Sequence, residues 1–345
     1  MSASIALTLL LFMVPGAIAS ADPTTSTDPV IRSAQPEVRA TAPDGSRFES
    51  LTVASGNRLM LHVYSAAMHA TIPVDVQRPA DAGAARPVLY LLNGGGGGED
   101  SATWRVRTDA EAFLADKNVN VVSPIGGRWS YYADWKNVDP VLGNNKWTTF
   151  LTRELPPVVD AALGTNGVNA IAGLSSSATA VLQMAIAAPH LYRGVASYSG
   201  CAQTSDPIGQ QFVKLTVETW GGGNTVNMWG PPDDPLWAAN DPYVHADGLR
   251  GLDLYISNGN GLPGRYDTPD GPGIDGSSRV LAQQIAVGGV IEAATNYCTH
   301  RLAEKLAQLG IPATFNFRDS GTHSWGYWQD DLKYSWPILA RSLGI

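Results

Sequence analysis

The segment Asn169-Ala-Ile-Ala-Gly-Leu-Ser-Ser-Ser-Ala-Thr-Ala-Val-Leu-Gln-Met-Ala-Ile-Ala187 decides the fold of this chain. A short apolar run stops at Gly173, and small apolar residues at helical spacing follow, which predicts a buried strand, a sharp turn and a helix. A serine on such a turn has a strained backbone and an exposed hydroxyl, and the next N–H lies at a helix N-terminus. Ser175 is therefore a candidate nucleophile. Glycine and serine are also typical of ordinary turns and helix caps, so the motif alone leaves both interpretations open.

Strand and helix patterns alternate on both sides of this segment. Three β-rich stretches between residues 48 and 76 predict an antiparallel start to a sheet. Apolar strands and amphipathic helices then alternate, which predicts a mostly parallel sheet with right-handed crossovers and an α/β fold. The predicted later elements are strands at 87–92, 119–124, 169–174, 194–200, 251–257 and 312–317, and helices at 147–162, 178–187 and 280–309, the last interrupted at Gly288-Gly289. In such a sheet ligands bind beyond the carboxyl ends of the strands.

A run of glycines follows the strand at 87–92. Asn93 and Gly94 to Gly98 come directly after its last leucine. Glycines at this point let backbone N–H groups approach a ligand closely, which favours half of an oxyanion hole, although a flexible loop is an equally good interpretation of the run alone. The run lacks the Lys-Ser/Thr of a phosphate-binding loop, and the sequence contains no metal-binding cluster, so we predict no cofactor and no metal.

Composition limits the class of protein. The chain has 345 residues, 44% of them apolar and only 16% charged, with a net charge of −8. This charge provides no basic surface for nucleic acid, so a nucleic-acid partner is not expected. An apolar segment at 5–19 followed by small residues predicts a secretory signal peptide over 1–21. A Ser-, Thr- and Pro-rich leader at 22–46 is predicted to be disordered, and a single catalytic domain covers 47–345.

A serine hydrolase needs an imidazole that accepts the serine proton and a carboxylate that orients the imidazole. In α/β folds these residues follow the nucleophile in the order acid, then histidine. His323 lies on a loop directly after the last apolar strand, whereas the other five histidines lie in strand-like, surface or helical sequence. His323 is therefore the predicted general base. Spacing leaves four candidates for the acid open: Asp267, Asp270, Asp275 and Glu292.

The order and spacing of several motifs resemble the antigen 85 family of mycolyltransferases, from about residue 50 to the C-terminus. The matching motifs are Tyr90-Leu-Leu-Asn-Gly, Pro124-Ile-Gly-Gly, Tyr131-Tyr-Ala-Asp-Trp, Lys146-Trp-Thr-Thr-Phe-Leu-Thr-Arg-Glu-Leu-Pro, Gly173-Leu-Ser, Met228-Trp-Gly-Pro, Asp234-Pro-Leu-Trp, Asn240-Asp-Pro, Asn258-Gly-Asn-Gly, Phe315-Asn-Phe and Gly321-Thr-His-Ser-Trp. The resemblance implies a secreted, cell-wall acyltransferase of α/β-hydrolase fold. Such enzymes move mycolic acid from trehalose monomycolate to another trehalose glycolipid or to arabinogalactan through an acyl-serine intermediate.

The resemblance also implies roles for individual residues. It makes Ser175 the nucleophile, His323 the base and Glu292 the acid, with the backbone N–H groups of Gly95 and Ser176 as oxyanion donors. Asn93 matches a family position that contacts the sugar. Trp325 is a second predicted substrate-binding residue, expected to shield the acyl-enzyme from water together with the aromatic insertion from Trp220 to Trp237. An exported chain permits a disulfide, so we expect Cys201 and Cys298 to be bonded and to support the helix of Glu292. The alternative for these two residues is a pair of buried free thiols.

Part of the sugar-contact motif of the family differs in this chain. The family's Asp-Gly-Leu-Arg reads Asn93-Gly-Gly-Gly, and its Trp-Asp-Ile-Asn-Thr reads Trp104-Arg-Val-Arg-Thr. The expected partners are a glycolipid or acyl-ester substrate, a cell-wall polysaccharide acceptor, and the outer envelope lipid as a peripheral contact. A carboxylesterase of lipid or wall esters is the alternative within the same chemistry, and a non-catalytic wall-binding protein is the alternative of another class. A Trp- and Gly-rich insertion between Pro207 and Leu249 is expected to cover the active-site face.

Overall fold

The computed structural model describes residues 40–345. The predicted signal peptide, and the predicted leader up to residue 39, lie outside the described residues. The last part of that leader is ordered: Ala40, Ala42 and Ser46 are buried, and the Phe48 N–H donates to the Ala40 carbonyl. These contacts place the ordered domain's start by residue 40, earlier than the predicted boundary at 47.

In the described residues, nine strands form one sheet in the order β1-β2-β3-β5-β4-β6-β7-β8-β9. Pairing is antiparallel from β1 to β3 and between β3 and β5, and it is parallel across the rest of the sheet. The strands are β1 (Arg47–Ser55), β2 (Arg58–Ser65), β3 (Ala70–Gln77), β4 (Val88–Leu92), β5 (Asn120–Pro124), β6 (Asn169–Leu174), β7 (Tyr192–Tyr198), β8 (Asp253–Asn258) and β9 (Thr314–Phe317). The predicted α/β class, with an antiparallel start and a parallel remainder, is confirmed.

Helices follow most of the parallel strands, as crossover connections require. The α-helices are α1 (Trp104–Arg107), α2 (Ala110–Leu114), α3 (Trp147–Thr149), α4 (Leu155–Leu163), α5 (Ser176–Ala187), α6 (Pro207–Lys214), α7 (Thr225–Trp229), α8 (Pro235–Ala239), α9 (Ser278–Gln283), α10 (Gly289–Gln308) and α11 (Trp325–Leu343). Wider π-helical turns occupy Phe150–Glu154, Leu215–Trp220 and Gln284–Gly288, and a 3-10 turn occupies Ala246–Leu249. Within residues 40–345, none of the helices combines the length and apolar character needed to cross a bilayer.

Apolar side chains cover both faces of the sheet. Alternate residues of a strand point to opposite faces, and β4 follows this rule: Tyr90 and Leu92 join the core beneath α4 and α5, whereas Leu89 and Leu91 join the core beneath α2 and α11. All six residues of β6 are buried. The strand that leads into Ser175 is therefore enclosed in the middle of the sheet.

The insertion after β7 forms a third apolar cluster. Trp229 and Trp237 pack edge to face with ring centroids 5.2 Å apart, and Tyr131 and Trp135 pack against them. The insertion is thus built around its own small core. Its π-helical turn at Leu215–Trp220 faces the site described below.

The helix predicted at 280–309 is interrupted near the expected glycines. Regular helix α9 widens into a π-helical turn that ends at Gly288, and α10 begins at Gly289. A Cβ atom on Gly289 would lie 2.6 Å from the Gly261 carbonyl oxygen, and one on Gly261 would lie 2.3 Å from the Gly289 carbonyl oxygen. The two glycines therefore allow the helix to contact the loop after β8, where the acid of the site is held.

Candidate active site

Ser175 lies on the sharp turn between β6 and α5. Its φ of 58° and ψ of −125° are unusual for a residue with a side chain, at a cost of about 1–3 kcal/mol. The turn is fixed by a hydrogen bond from the Ser175 N–H to the Tyr198 carbonyl at 2.9 Å. The Ser177 hydroxyl also closes the turn, because it accepts from the Leu174 N–H and donates to the Leu174 carbonyl, both at 2.9 Å. Only glycine fits at position 173, where a Cβ would lie 2.7 Å from the Ser177 Oγ.

His323 is delivered to Ser175 by the loop between β9 and α11. Its Nε2 lies 2.9 Å from the Ser175 Oγ, and its Nδ1 lies 2.8 Å from the Glu292 Oε2. The backbone N–H of His323 donates to the Gly288 carbonyl, and the ring packs edge-on against Trp328 at 4.8 Å. The imidazole is therefore placed between a hydroxyl and a carboxylate, an arrangement suited to proton transfer from the serine.

Glu292 is fully buried on the first turn of α10. Its Oε1 accepts hydrogen bonds from the Ser199 hydroxyl (2.7 Å), the Asn258 amide (3.0 Å), the Gly259 N–H (2.6 Å) and the Arg318 guanidinium (3.0 Å). A buried carboxylate is stable only with such partners. Since four donors engage Oε1, the carboxylate cannot rotate freely, and Oε2 remains directed at His323.

The other three candidate acids lie away from His323. Asp270 and Asp275 are exposed on the loop before α9. Asp267 is buried, and its carboxylate accepts from the Thr322 hydroxyl at 2.5 Å and the Tyr327 hydroxyl at 2.7 Å. Asp267 therefore supports the loop that carries His323, whereas Glu292 is the acid that contacts the imidazole.

The glycine run lies against the nucleophile turn. A Cβ on Gly94 would lie 2.7 Å from a Leu174 methyl carbon and 3.7 Å from the Ser175 Cβ. Among the described residues, the Gly95 N–H has no hydrogen-bond acceptor, and the Ser176 N–H is at the start of α5, where a helix leaves its N–H groups unpaired. Two unpaired donors beside a serine hydroxyl can stabilise an oxyanion.

Gly97 is the glycine of this run whose replacement has the clearest consequence. Its φ is +65°, and an added Cβ would lie 2.4 Å from the Gly126 carbonyl oxygen. Gly97→Ala is expected to displace the loop and lower kcat by about 10², the scale of one lost oxyanion donor. Gly164→Ala is the matched control, because Gly164 has a similar φ of +62° but no described atom within 4 Å of the added Cβ. Equal rates for the two variants would contradict a role for the loop.

The two residues predicted to contact substrate, Asn93 and Trp325, both make contacts within the protein. Asn93 is buried, and its Oδ1 accepts from the Trp104 N–H at 3.1 Å. A Cβ on Gly98 would touch the Asn93 amide at 2.6 Å. Asn93 thus supports the glycine run, and its contact with substrate stays a prediction. Trp325 is half-buried and packs edge to face with Trp104 and Trp328.

A disulfide joins Cys201 to Cys298, which are 97 residues apart in the chain. Cys201 lies on the loop just after β7, and Cys298 lies on α10, the helix of Glu292. The hydroxyl of the next residue, Thr299, donates to the side-chain Oδ1 of Asn258 at 3.0 Å. The disulfide therefore connects the helix of the acid to the carboxyl edge of the sheet.

Removal of this disulfide is expected to destabilise the protein and slow catalysis. For a loop of this length, Cys201→Ser/Cys298→Ser should lower the free energy of unfolding by about 4 kcal/mol. Denaturant unfolding with and without a thiol reductant measures the effect. The wild-type protein should shift on reduction, whereas the double variant should not. Identical unfolding curves for wild type and variant would contradict the supporting role.

A largely apolar pocket with a volume of about 90 Å³ opens beside Ser175. One wall comes from the insertion and the other from α10; the lining side chains include Phe212, Leu215, Trp220, Val290, Ile291 and Ala294. Tyr131 also lines it, and burial raises the pKa of this phenol to about 12, so the hydroxyl stays neutral. The pocket suits a hydrocarbon chain attached to a carbonyl at Ser175.

Three residues that support the site were missed from the sequence. Ser199, with a φ of 55°, donates to Glu292 and accepts from the Trp328 indole at 2.9 Å. Arg318 forms an ion pair with Glu292 and a second with Asp331. Burial raises the pKa of the fully enclosed Asp331 to about 6, although Arg318 acts in the opposite direction. Ser199 had a signal in its position after a parallel strand, but nothing in the sequence connects Arg318 or Asp331 to the site.

Residues 40–345 contain no group of three or more His, Cys, Asp or Glu side chains arranged to hold a metal ion. The groups that the described chain places at this site are the Ser175 hydroxyl, the His323 imidazole, the Glu292 carboxylate and the backbone donors. Those groups are the components of acyl transfer through a serine.

Comparison with known proteins places this geometry in a family. A family model described as a putative esterase matches residues 65–337. The diacylglycerol acyltransferase/mycolyltransferase Ag85A of Mycobacterium ulcerans is 33% identical over 294 residues, which cover 82% of this chain and 81% of the relative. The corresponding protein of Mycobacterium leprae is 33% identical over 299 residues, covering 82% and 83%.

Comparison with solved structures gives a result consistent with these relatives. The crystal structure of Mycobacterium tuberculosis MPT51 matches with a TM-score of 0.68 and 25% identity, covering 85% of this chain and all of that one. An S-formylglutathione hydrolase from Agrobacterium tumefaciens matches with a TM-score of 0.62 at 14% identity, over 86% of this chain, and indicates the fold alone. The resemblance found in the motifs is therefore confirmed. The chain belongs to the antigen 85 acyltransferase/mycolyltransferase family, and it is an α/β-hydrolase-fold enzyme of the acyltransferase and esterase class.

Proposed function

We propose that the protein is an exported serine acyltransferase of the cell envelope. In this proposal it transfers a mycolyl or other long-chain acyl group from trehalose monomycolate to a trehalose glycolipid or to wall arabinogalactan. The observation that carries the proposal is the continuous hydrogen-bonded row Ser175–His323–Glu292 beside an apolar pocket. Export follows from the predicted signal peptide and from the family, and it belongs to the proposal.

The reaction has two steps. In the first, the Ser175 Oγ attacks the ester carbonyl of the donor, and His323 accepts the serine proton at Nε2. Glu292 holds the imidazole by Nδ1 and stabilises its positive charge, while the N–H groups of Gly95 and Ser176 bind the oxyanion. The leaving sugar takes the proton from His323. In the second step, a hydroxyl of the acceptor gives its proton to His323 and attacks the acyl-serine. The bond between the acyl carbon and the Ser175 Oγ breaks, the acylated acceptor leaves, and Ser175 takes the proton back from His323.

Transfer to an alcohol requires that water be kept from the acyl-serine. Side chains on both sides of the pocket are apolar, including Leu215 and Trp220 on the insertion and Val290 on α10. An acyl chain seated between them would displace water from the carbonyl. Of the aromatic residues of the insertion, Trp220 reaches the pocket, whereas Trp229 and Trp237 form the core of the insertion itself.

One observation favours a second candidate, a carboxylesterase of lipid or wall esters. The glycine run presents Gly94, Gly95 and Gly96 beside the nucleophile, and the side chain of Asn93 is turned away into the protein. On this loop, backbone groups are therefore the ones available to contact a sugar acceptor. A non-catalytic wall-binding protein is not favoured, since its surface would have no use for an aligned Ser, His and Glu.

The test is to incubate the purified protein with trehalose monomycolate and, separately, with a short-chain chromogenic ester, and to identify products by mass spectrometry. Trehalose dimycolate or another mycolylated sugar is the result expected of the acyltransferase. Free mycolic acid without a transfer product would favour the carboxylesterase. No turnover of either ester by folded protein would contradict both enzymatic functions.

A further inference from the structure

A buried row of alternating charges continues behind the acid of the site. We propose that Arg318 is a positioning residue for Glu292, and that Asp331 supplies the counter-charge that lets Arg318 orient Glu292 without cancelling its negative charge. The inference rests on the proposed roles of Ser175, His323 and Glu292, and it adds two residues to them.

Arg318 is placed by the sheet itself. It follows β9 directly, and its backbone N–H donates to the Asn258 carbonyl at 2.9 Å, which extends the pairing of β8 and β9 by one step. Its side chain is only 12% exposed. One arm of the guanidinium, Nη2, donates to the Glu292 Oε1 at 3.0 Å, and the other arm, Nη1, donates to the Asp331 Oδ2. The planar fork thus bridges two buried carboxylates, a geometry that lysine cannot reproduce.

Asp331 is fully buried on the first half of α11. Its Oδ1 accepts from the Asn316 amide at 3.3 Å and the Tyr255 hydroxyl at 3.4 Å. Above pH 6 this carboxyl is charged, because its pKa is raised only to about 6. The carboxyl therefore pairs with Arg318 across the neutral range, where the serine chemistry has to operate.

The net charge of Glu292, Arg318 and Asp331 explains why Arg318 is paired with a second carboxylate. Glu292 and Arg318 alone would form a neutral pair, and a neutral pair stabilises an imidazolium poorly. With Asp331 included, two carboxylates and one guanidinium leave one net negative charge in a buried region. That charge is the one needed when His323 becomes positive during acyl transfer.

The other titratable groups near Glu292, Arg318 and Asp331 are either neutral tyrosines or carboxylates with partners of their own. Burial raises the pKa of Tyr255 and of Tyr327, so both phenols stay protonated. The Tyr327 ring lies 5.3 Å from the Arg318 guanidinium, and its hydroxyl donates to Asp267. Tyr198, whose pKa burial also raises, contacts α11 through Ser335. On α11 the neighbouring Asp330 forms its own ion pair with Arg265.

The decisive variant removes both members of the pair. Arg318→Met alone would leave a buried carboxylate without a partner and could unfold the protein for that reason. Arg318→Met/Asp331→Asn removes one charge of each sign, so the fold should survive. Arg265→Met/Asp330→Asn is the matched control, because it removes a neighbouring ion pair that does not contact Glu292. Hydrolysis of a soluble short-chain ester is measured as kcat and KM from pH 5 to 9, together with thermal unfolding.

We expect Arg318→Met/Asp331→Asn to lower kcat about tenfold at pH 8 with little change in KM. The reason is that Glu292, held by fewer partners, would orient the His323 imidazole less precisely toward Ser175. The acid limb of kcat/KM should move to higher pH by about half a unit, because the positive charge removed is nearer to the imidazole than the negative one. In Arg318→Lys, the acid limb of kcat/KM should stay at its wild-type pH, while kcat should fall by less than tenfold. The control pair should behave as wild type.

A folded Arg318→Met/Asp331→Asn variant with wild-type kcat and an unshifted acid limb would overturn the positioning role. So would equal losses in that variant and in the control pair, since they would indicate a general effect of removing ion pairs. Failure of the proposed function gives a different result. In that case the wild-type protein itself does not hydrolyse the ester, or Ser175→Ala hydrolyses it equally well.

Discussion

Ser175→Ala is expected to reduce acyl transfer and ester hydrolysis by about 10⁶, the loss seen when the nucleophile of a serine triad is removed. The Ser175 Oγ lies 2.9 Å from the His323 Nε2, and the substitution removes this hydrogen-bonding group. Alanine keeps the backbone turn, so circular dichroism and thermal unfolding should remain those of the wild type. Covalent labelling by a serine-directed phosphonate, followed by intact-mass measurement, should disappear.

Ser176→Ala is the matched control for this experiment. Ser176 is the adjacent serine, and the proposal gives a role to its backbone N–H but none to its hydroxyl. This variant should therefore label and turn over ester nearly as the wild type does. Persistent labelling of Ser175→Ala, or loss of labelling in Ser176→Ala alone, would show that the turn has been assigned to the wrong serine.

Glu292→Gln is expected to lower kcat by about 10⁴, because the wrong tautomer of histidine becomes favoured. A glutamine amide has one donor group, and turning it toward His323 Nδ1 would place the ring proton on Nε2, where it blocks acceptance of the serine proton. The substitution keeps the size of the side chain. It also leaves Arg318 paired with a single carboxylate, so a modest loss of stability should accompany the loss of rate.

Asp270→Asn is the corresponding control among the alternative acids. Asp270 is exposed on the loop before α9, and its charge is not used by the site. Steady-state hydrolysis of a chromogenic ester at pH 8 should be unchanged in this variant. If Asp270→Asn lost activity while Glu292→Gln kept it, the acid would have to be reassigned to the loop.

The fold and the positions of Ser175 and His323 were accessible from the sequence because local signals specify them. The segment around Ser175 combines a strand, a turn and a helix within 19 residues, and His323 follows a short apolar strand. The glycines at 288 and 289 likewise marked the point where the long helix changes its winding. In each case neighbouring residues decide the outcome, so a pattern in the sequence is enough.

The remaining parts of the site depend on contacts between distant segments. Spacing alone could not choose Glu292 over Asp267, because both follow Ser175 and precede His323 in the chain. Only the approach of α10 to the loop after β8 decides between them. The resemblance assigned Asn93 to substrate contact, and no pattern in the sequence indicates that its Oδ1 accepts a hydrogen bond from the Trp104 N–H. Arg318 and Asp331 meet only because β9 and α11 pack together.

Helix α10 combines duties that many enzymes divide among separate elements. It carries Glu292, forms a wall of the apolar pocket through Val290, Ile291 and Ala294, and is held by the disulfide at Cys298. Evolution of a new chain-length preference would therefore be constrained at this helix. Any substitution that shifts α10 to admit a bulkier lipid would also move Glu292 relative to His323, so broader specificity should come first through the opposite wall, on the insertion.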